Sequence, residues 1–189
     1  MREGEAEEQV VLVDRQDRPV GVLAKLQAHR EGRLHRAFSV VVRDPAGRFL
    51  LQKRAAGKYH SGGLWTNTCC SHPRPGEEPA AAARRRLVEE MGIEAEPVWL
   101  LTTIYRAEFD NGLVEHELVH VFAATYDGPV RPNPEEVEGY AWLEPEELLA
   151  DLTRRPERYS YWFRLYVREH WPSLTGRAAC GSADREIVA

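Results

Sequence analysis

Strand pairs on either side of one central helix, with two more helices near the end, predict an α/β or α+β fold: a single domain on a mixed β-sheet sandwiched between helices. Three stretches carry the prediction. Residues 98–109 and 113–125 are apolar, β-branched runs flanking Asp110-Asn111-Gly112, the chemistry of a tight hairpin turn. Residues 77–92 open with acids and Pro79, run through alanines and arginines and close on Gly92, the punctuation of one helix. Residues 144–171 hold two further helical stretches, the first opening on Glu144-Pro145-Glu146-Glu147, where a helix dipole favours acids. A chain of 189 residues suits one such domain.

The elements follow in order. The apolar runs 9–14 and 20–23, joined by a polar turn, read as an opening hairpin. Residues 25–32 read as a polar connection carrying His29. Residues 34–43, with His35 near the start, and 49–54 form a strand pair around the turn Asp44-Pro45-Ala46-Gly47. A flexible loop, 55–63, carries Lys58 and His60 to residues 65–76, which read as a second loop. That loop combines Cys69, Cys70, His72 and two prolines, a mixture that suits a site and no core. In the helix that follows, Ala80, Ala83, Leu87 and Met91 fall on one stripe, leaving Arg84–Arg86 and Glu89-Glu90 to polar surroundings. A loop at 128–138, a short strand at 140–143 and the last helix, 156–171, complete a domain of residues 9–171. Residues 1–8 and 172–189 are expected to be flexible ends.

Composition narrows the function. Lys and Arg total 25 against 30 Asp and Glu, a net charge of −5 that gives no support to a nucleic-acid partner. No apolar run approaches the roughly 20 residues of a membrane helix, and the acidic start does not resemble a signal peptide. The expectation is a cytoplasmic protein with no membrane partner. Three cysteines, two of them adjacent, imply reduced thiols and no disulfide framework.

Two groups of residues invite chemistry. On the strand after the Asn-Gly turn, alternation puts Glu115 and Glu117 on one face and His116 and His120 on the other. Paired like charges repel, and either a solvated edge strand or a bound cation relieves them. His29, His35 and His72, together with the two glutamates, have the nitrogen and oxygen donors that a divalent transition metal or zinc takes, with magnesium less suited to imidazole. Cys70 lies two residues from His72, so extended backbone puts both on one side; Cys70 is the candidate reactive thiol, against the alternative of an inert buried one. Arg54, Lys58 and Arg85 suit either open solvent or a diphosphate, and Glu89-Glu90 can hold a magnesium that bridges phosphate oxygens.

Taken together, several stretches resemble the type 1 isopentenyl-diphosphate isomerases, a branch of the Nudix fold, over roughly residues 9–170. The carriers are Ala28-His29, Leu34-His35-Arg36-Ala37-Phe38-Ser39, Lys53-Arg54-Ala55, Gly63-Leu64-Trp65-Thr66-Asn67, Cys70-Ser71-His72-Pro73, Glu89-Glu90-Met91-Gly92 and Glu115-His116-Glu117. Against the hydrolase pattern of that fold, Ser71 replaces a customary glycine and Arg86 stands where a hydrolase keeps a glutamate. Losing that carboxylate weakens a magnesium cluster that activates water and argues against hydrolysis, the alternative activity; a silent binding module is the alternative outside enzymes. The resemblance implies an enzyme that interconverts isopentenyl and dimethylallyl diphosphate in isoprenoid biosynthesis by adding one proton and removing another. It implies His29, His35, His72, Glu115 and Glu117 as ligands of one divalent metal, manganese or zinc ahead of magnesium. Cys70 and Glu117 are implied as the proton-transfer pair with Tyr105 as helper. Lys25, Arg54, Lys58, Arg85 and Arg86 are implied as diphosphate contacts, Glu90 as holder of the substrate's magnesium and Trp162 as an aromatic wall. The implied partner is a small diphosphate, and the expected state is a monomer or weak homodimer.

Overall fold

In the computed structural model, which describes residues 8–58, 60–176 and 187–188, the alternating run after Leu34 becomes the central strand. The opening hairpin is β1 (Gln9–Val13) and β2 (Pro19–Ala24). Helix α1 (Lys25–Glu31) follows where the sequence suggests only a connection. No capping side chain or acidic first turn announces α1; it forms because Ala28 and His29 bury against the sheet and Gly32, at φ 61°, closes it. Then come β3 (His35–Arg43) and β4 (Phe49–Arg54), as expected from their turn.

The expected reactive loop contains two short strands, β5 (Trp65–Thr66) and β6 (Cys69–Ser71). Part of it does belong to the core: Cys69, Thr66, Asn67 and Thr68 are all buried. Helix α2 (Pro79–Met91) buries Ala82, Ala83, Leu87, Glu90 and Met91. Ala80 is exposed and Glu90 buried, so the inward stripe is rotated from the expected one. Gly92 ends the helix at φ 63°, where a Cβ would stand 2.7 Å from the Arg131 carbonyl oxygen. The long hairpin β7 (Val98–Glu108) and β8 (Val114–Thr125) turns at Gly112, φ 79°. β9 (Val137–Leu143) starts three residues earlier than expected. Helix α3 (Pro145–Arg154) opens with a capping box between Glu144 and Glu147.

The last expected helix is divided into a 3-10 turn, Pro156–Arg158, and α4 (Tyr161–Leu174), which bends at His170 just before Pro172. It therefore runs past the expected end at residue 171. β10 (Ile187–Val188) pairs parallel with β7 at Thr102 and Thr103. The remaining expected flexible ends, 1–7, 177–186 and 189, lie outside the described residues, and Cys180 with them.

β3 organises the sheet. One edge runs parallel to β8 from His35/Glu117 to Arg43/Thr125, and its other edge is shared in turn by β1, β6 and β4. β7 extends the sheet beyond β8, while β5 and β9 pair with β4. Strand alternation sorts the two faces. Phe38, Val40 and Val42 pack with Leu87 and Met91 of α2. Ala37 and Val41 pack with Leu148 of α3 and Phe163 and Tyr166 of α4. The result is one mixed sheet with helices on both faces, an α+β domain.

Candidate active site

Register alone places the first three candidate groups. His35 lies opposite Glu117 across β3 and β8, and Glu117 lies opposite Tyr105 across β8 and β7. The same alternation turns Glu115 and Glu117 to the α4 side, while His116 meets the Gly32 carbonyl oxygen and His120 meets Asp17 on the other. β6 adds Cys70, paired with Ser39 of β3, and then His72. Glu115, Glu117, Tyr105, Ser39, Cys70 and His72, with Arg85 and Arg86 of α2 and Trp162 of α4, line a cavity of about 770 Å³.

At the inner end, donor atoms of His29, His35, His72 and Glu117 all lie within 4.8 Å of one another, and all four residues are buried. His29 Nδ1 donates to the Lys25 carbonyl oxygen at 2.7 Å and His35 Nδ1 to that of Arg33 at 2.8 Å. A carbonyl only accepts, so each Nδ1 carries a proton and each ring turns its Nε2 to the cluster. His72 Nε2 lies 3.2 Å from His35 Nε2 and 3.1 Å from Glu117 Oε1, while its Nδ1 is buried with no hydrogen-bond partner among the described residues. Burial, reinforced by the neighbouring His72, pushes His29 down to about 3, so it is neutral. Three imidazoles whose ring nitrogens converge beside a carboxyl group suit a divalent cation.

Glu115 is not in that set of four. Its donor groups with those of His29 and His60, and its Oε1 lies 3.0 Å from His60 Nε2. The Tyr105 hydroxyl is 2.8 Å from Glu115 Oε2 and 2.8 Å from Glu117 Oε2. One hydroxyl proton serves one of these contacts, so a second proton must sit on a carboxyl. Burial and the charge of Glu117 drive Glu115 well above the usual carboxylate range. Burial also disfavours the charge on Glu117, but hydrogen bonds from His35 and His72 outweigh it and hold Glu117 well below that range. Of the pair, Glu115 is the one driven towards its neutral form and Glu117 the one held towards its charged form.

Cys70 is half-buried. Its Sγ lies 3.0 Å from Asn67 Oδ1, 3.1 Å from Trp162 Nε1 and 3.6 Å from Ser39 Oγ. Burial pushes the thiol up to about 11, and the proton stays on sulfur at neutral pH. Cys69 faces the opposite side, fully buried against α2.

The outer end is cationic, and each cation leans on neighbours. Lys25 contacts Glu8 at 2.8 Å, and Lys58 is paired with Glu136. Arg85 grips Glu77 through two bonds of 2.8 Å. Arg86 meets Glu90 at 2.6 Å, Glu89 at 2.9 Å and Glu136 at 3.2 Å. Arg54 lies over the Trp162 ring, 5.2 Å from its centroid, and reaches the His60 carbonyl oxygen. Burial and nearby cations pull Lys58 down to about 8 against the attraction of Glu90. Glu90 lies beneath Arg86, also accepting from Gln52 at 3.1 Å, and does not line the cavity.

Sequence reasoning passed over His60, Asn67 and Glu136. His60 sits two residues after Lys58 in a glycine-rich stretch, the available signal; Asn67 lies between two threonines in the stretch already singled out.

The fold and this site define a class: residues 33–165 match the NUDIX domain, and the chain belongs to that family. Its likeness to solved structures is one of fold. A Deinococcus radiodurans protein superposes with a TM-score of 0.71 at 23% identity, over 85% of this chain and 98% of that one. A MutT protein from Methanosarcina mazei gives 0.59 at 20% identity, over 71% and 91%.

Curated relatives are more specific. The chain is 54% identical to isopentenyl-diphosphate Delta-isomerase 2 of Aromatoleum aromaticum, over 82% of each chain. It is 51% identical to isopentenyl-diphosphate Delta-isomerase 1 of the same organism, over 97% of this chain and 99% of that one. To the isopentenyl-diphosphate Delta-isomerase of Burkholderia multivorans it is 50% identical, over 85% and 92%. Within the NUDIX proteins, the chain belongs to the isopentenyl-diphosphate Delta-isomerase family.

Proposed function

We propose that the domain, residues 9–171, interconverts isopentenyl and dimethylallyl diphosphate, with Cys70 and Glu117 as its proton-transfer pair. The observation that supports this most is that the Cys70 thiol and the Glu117 carboxyl group line one cavity with Trp162. Cys70 gives its proton to the terminal alkene carbon, producing a tertiary carbocation and a thiolate. Glu117 takes a proton from the carbon between the cation and the diphosphate-bearing carbon, and its loss places the double bond in the allylic position. The atoms of the hydrocarbon are conserved, and reversal needs only the two protons returned. Trp162 bounds the cavity and offers a π face to a developing positive charge. Asn67 and Ser39 hold Cys70 in orientation. Tyr105 holds Glu117 beside Glu115. Lys25, Arg54, Lys58, Arg85 and Arg86 receive the diphosphate, and Glu90, set back beneath Arg86, would hold a magnesium ion accompanying it once that guanidinium turns to the phosphate.

His29, His35, His72, Glu115 and Glu117 would hold a divalent cation that fixes the carboxylates and tunes the proton affinity of Glu117. Three imidazoles favour manganese or zinc over magnesium there. The hydrolytic alternative lacks support at Arg86, which stands over Glu90 and Glu89 where water activation needs free carboxylates.

The test is turnover of isopentenyl diphosphate in deuterated water with a divalent metal, reading deuterium in the allylic product. Wild type is expected to incorporate deuterium, and Cys70→Ala and Glu117→Gln to lose incorporation while keeping the folded circular-dichroism spectrum. Near-normal turnover by either variant removes that residue from the pair; phosphate release without isomer would favour hydrolysis.

A further inference from the structure

We propose that Arg74 is a further substrate-binding residue: its guanidinium receives the terminal phosphoryl group of the diphosphate and makes the cavity select diphosphates over monophosphates. This rests on the diphosphate reading of the cavity given above. Arg74 lines that cavity and is exposed, so it stands at the mouth. The other cations there are engaged. Lys25, Lys58, Arg85 and Arg86 each hold a carboxylate, and Arg54 is buried over Trp162 and bonded to the His60 carbonyl oxygen. Arg74 bonds through its backbone. Its N–H donates to Glu77 Oε2 at 2.8 Å and its carbonyl oxygen accepts from the Glu77 N–H at 2.9 Å, while its side chain makes no hydrogen bond or ion pair among the described residues.

The root of this side chain is fixed although its head is not. Arg74-Pro75-Gly76-Glu77 has the bond and the residues of a type II turn, with proline second and Gly76 third at φ 81°. Pro73, buried, precedes it. Glu77 is gripped in turn by Arg85, so the turn is tied to α2. On binding, Arg74 has only its rotamers to lose.

The hydrocarbon end of the substrate lies inward, between Cys70 and Glu117, so the terminal phosphoryl group is the part nearest the mouth. A monophosphate ends one phosphoryl group short of it. Guanidinium presents two parallel N–H groups to phosphate oxygens, and Arg74 leaves no partner in doing so. In a chain of net charge −5, a cation without a counter-ion at the mouth also gives an approaching polyanion its first attraction.

The experiment compares wild type, Arg74→Gln and Arg84→Gln. Arg84 is an exposed arginine of α2 that pairs with Glu96 and does not line the cavity, so its variant loses the same charge without the contact. The Arg74 side chain is exposed and its turn is made without it, so both variants should keep the folded circular-dichroism spectrum. Calorimetric titration with inorganic diphosphate and magnesium is expected to show affinity lower by at least about fivefold in Arg74→Gln alone. In turnover, KM for isopentenyl diphosphate rises by the same factor and kcat is unchanged, because the phosphoryl group is remote from the reacting carbons. The inhibition constant of isopentenyl monophosphate stays at its wild-type value. Equal diphosphate affinity in wild type and Arg74→Gln overturns the proposal. So does an equal fall in both variants, which any lost charge would give, or an equal weakening of the monophosphate. A wild type that binds no diphosphate removes the diphosphate reading itself and this proposal with it. A wild type that binds diphosphate without turnover removes the isomerase, and the calorimetry still decides Arg74.

Discussion

Asn67 shows how much one side chain can organise. Its Oδ1 lies 3.0 Å from the Cys70 sulfur, 3.2 Å from Trp162 Nε1 and 3.0 Å from Thr66 Oγ1, while Nδ2 donates to the carbonyl oxygens of Val40 at 3.0 Å and Cys69 at 2.8 Å. Asn67→Ala leaves two buried carbonyls without this donor and the thiol without its acceptor. A loss of about 2–4 kcal/mol in urea denaturation is expected, with turnover lower by about 10²-fold from misplacement of the sulfur. The thiol makes a second prediction. Ordinary thiols titrate near 8.5, whereas alkylation of Cys70 in metal-free protein, followed by peptide mass spectrometry, should rise with an inflection near 11. Because the folded value is the higher one, the stability this thiol contributes is complete below the unfolded value. It is lost as pH climbs through that interval towards 11. None of these partners was legible beforehand: the sequence shows that Asn67, Cys70 and Trp162 exist, but only the pairing of β6 with β3 and the docking of α4 make them neighbours.

At the scale of elements, the β1–β2 turn is fastened to the sheet by Asp17. It holds φ 61°, accepts from Arg36 Nε at 2.7 Å and from His120 Nε2 at 2.9 Å, and so ties the turn to β3 and β8. Burial would raise this carboxyl, but bonds from His120 and Arg36 prevail and hold it below its ordinary value. Its contribution is therefore present above the unfolded value near 3.9 and is lost as pH falls through the lower folded one. Asp17→Ala should cost about 1–2 kcal/mol near pH 6, and the gap from wild type should narrow as urea midpoints are taken at successively lower pH beneath the unfolded value. Elements with two-residue alternation or strong punctuation, β3, β4, β7, β8 and α2, could be read directly from the residues. α1 could not, since its seven residues lack a cap and owe their helix to packing; β5 and β6 could not, since they are too short to show a period.

Across the whole molecule, the candidate site sits where β3 changes neighbours. Its partner edge passes from β1 to β6 to β4 within nine residues, and the cavity opens there, between α2 on one face and α4 on the other. The paired acids and the histidines could be picked out along the chain; their convergence depended on register, which sequence alone does not give. A metal holding these groups also holds the sheet, so chelation should lower the melting temperature, by about 2–4 °C for each kcal/mol of binding lost. The cationic rim has a different consequence. Lys25, Lys58, Arg85 and Arg86 already lean on Glu8, Glu136, Glu77, Glu89 and Glu90. An incoming diphosphate evicts carboxylates, and the evicted carboxylates then want a positive ion of their own. Occupancy is an exchange of counter-ions. Inorganic diphosphate should therefore raise the melting temperature far more with magnesium than without it, since magnesium is the ion that fills the vacated role.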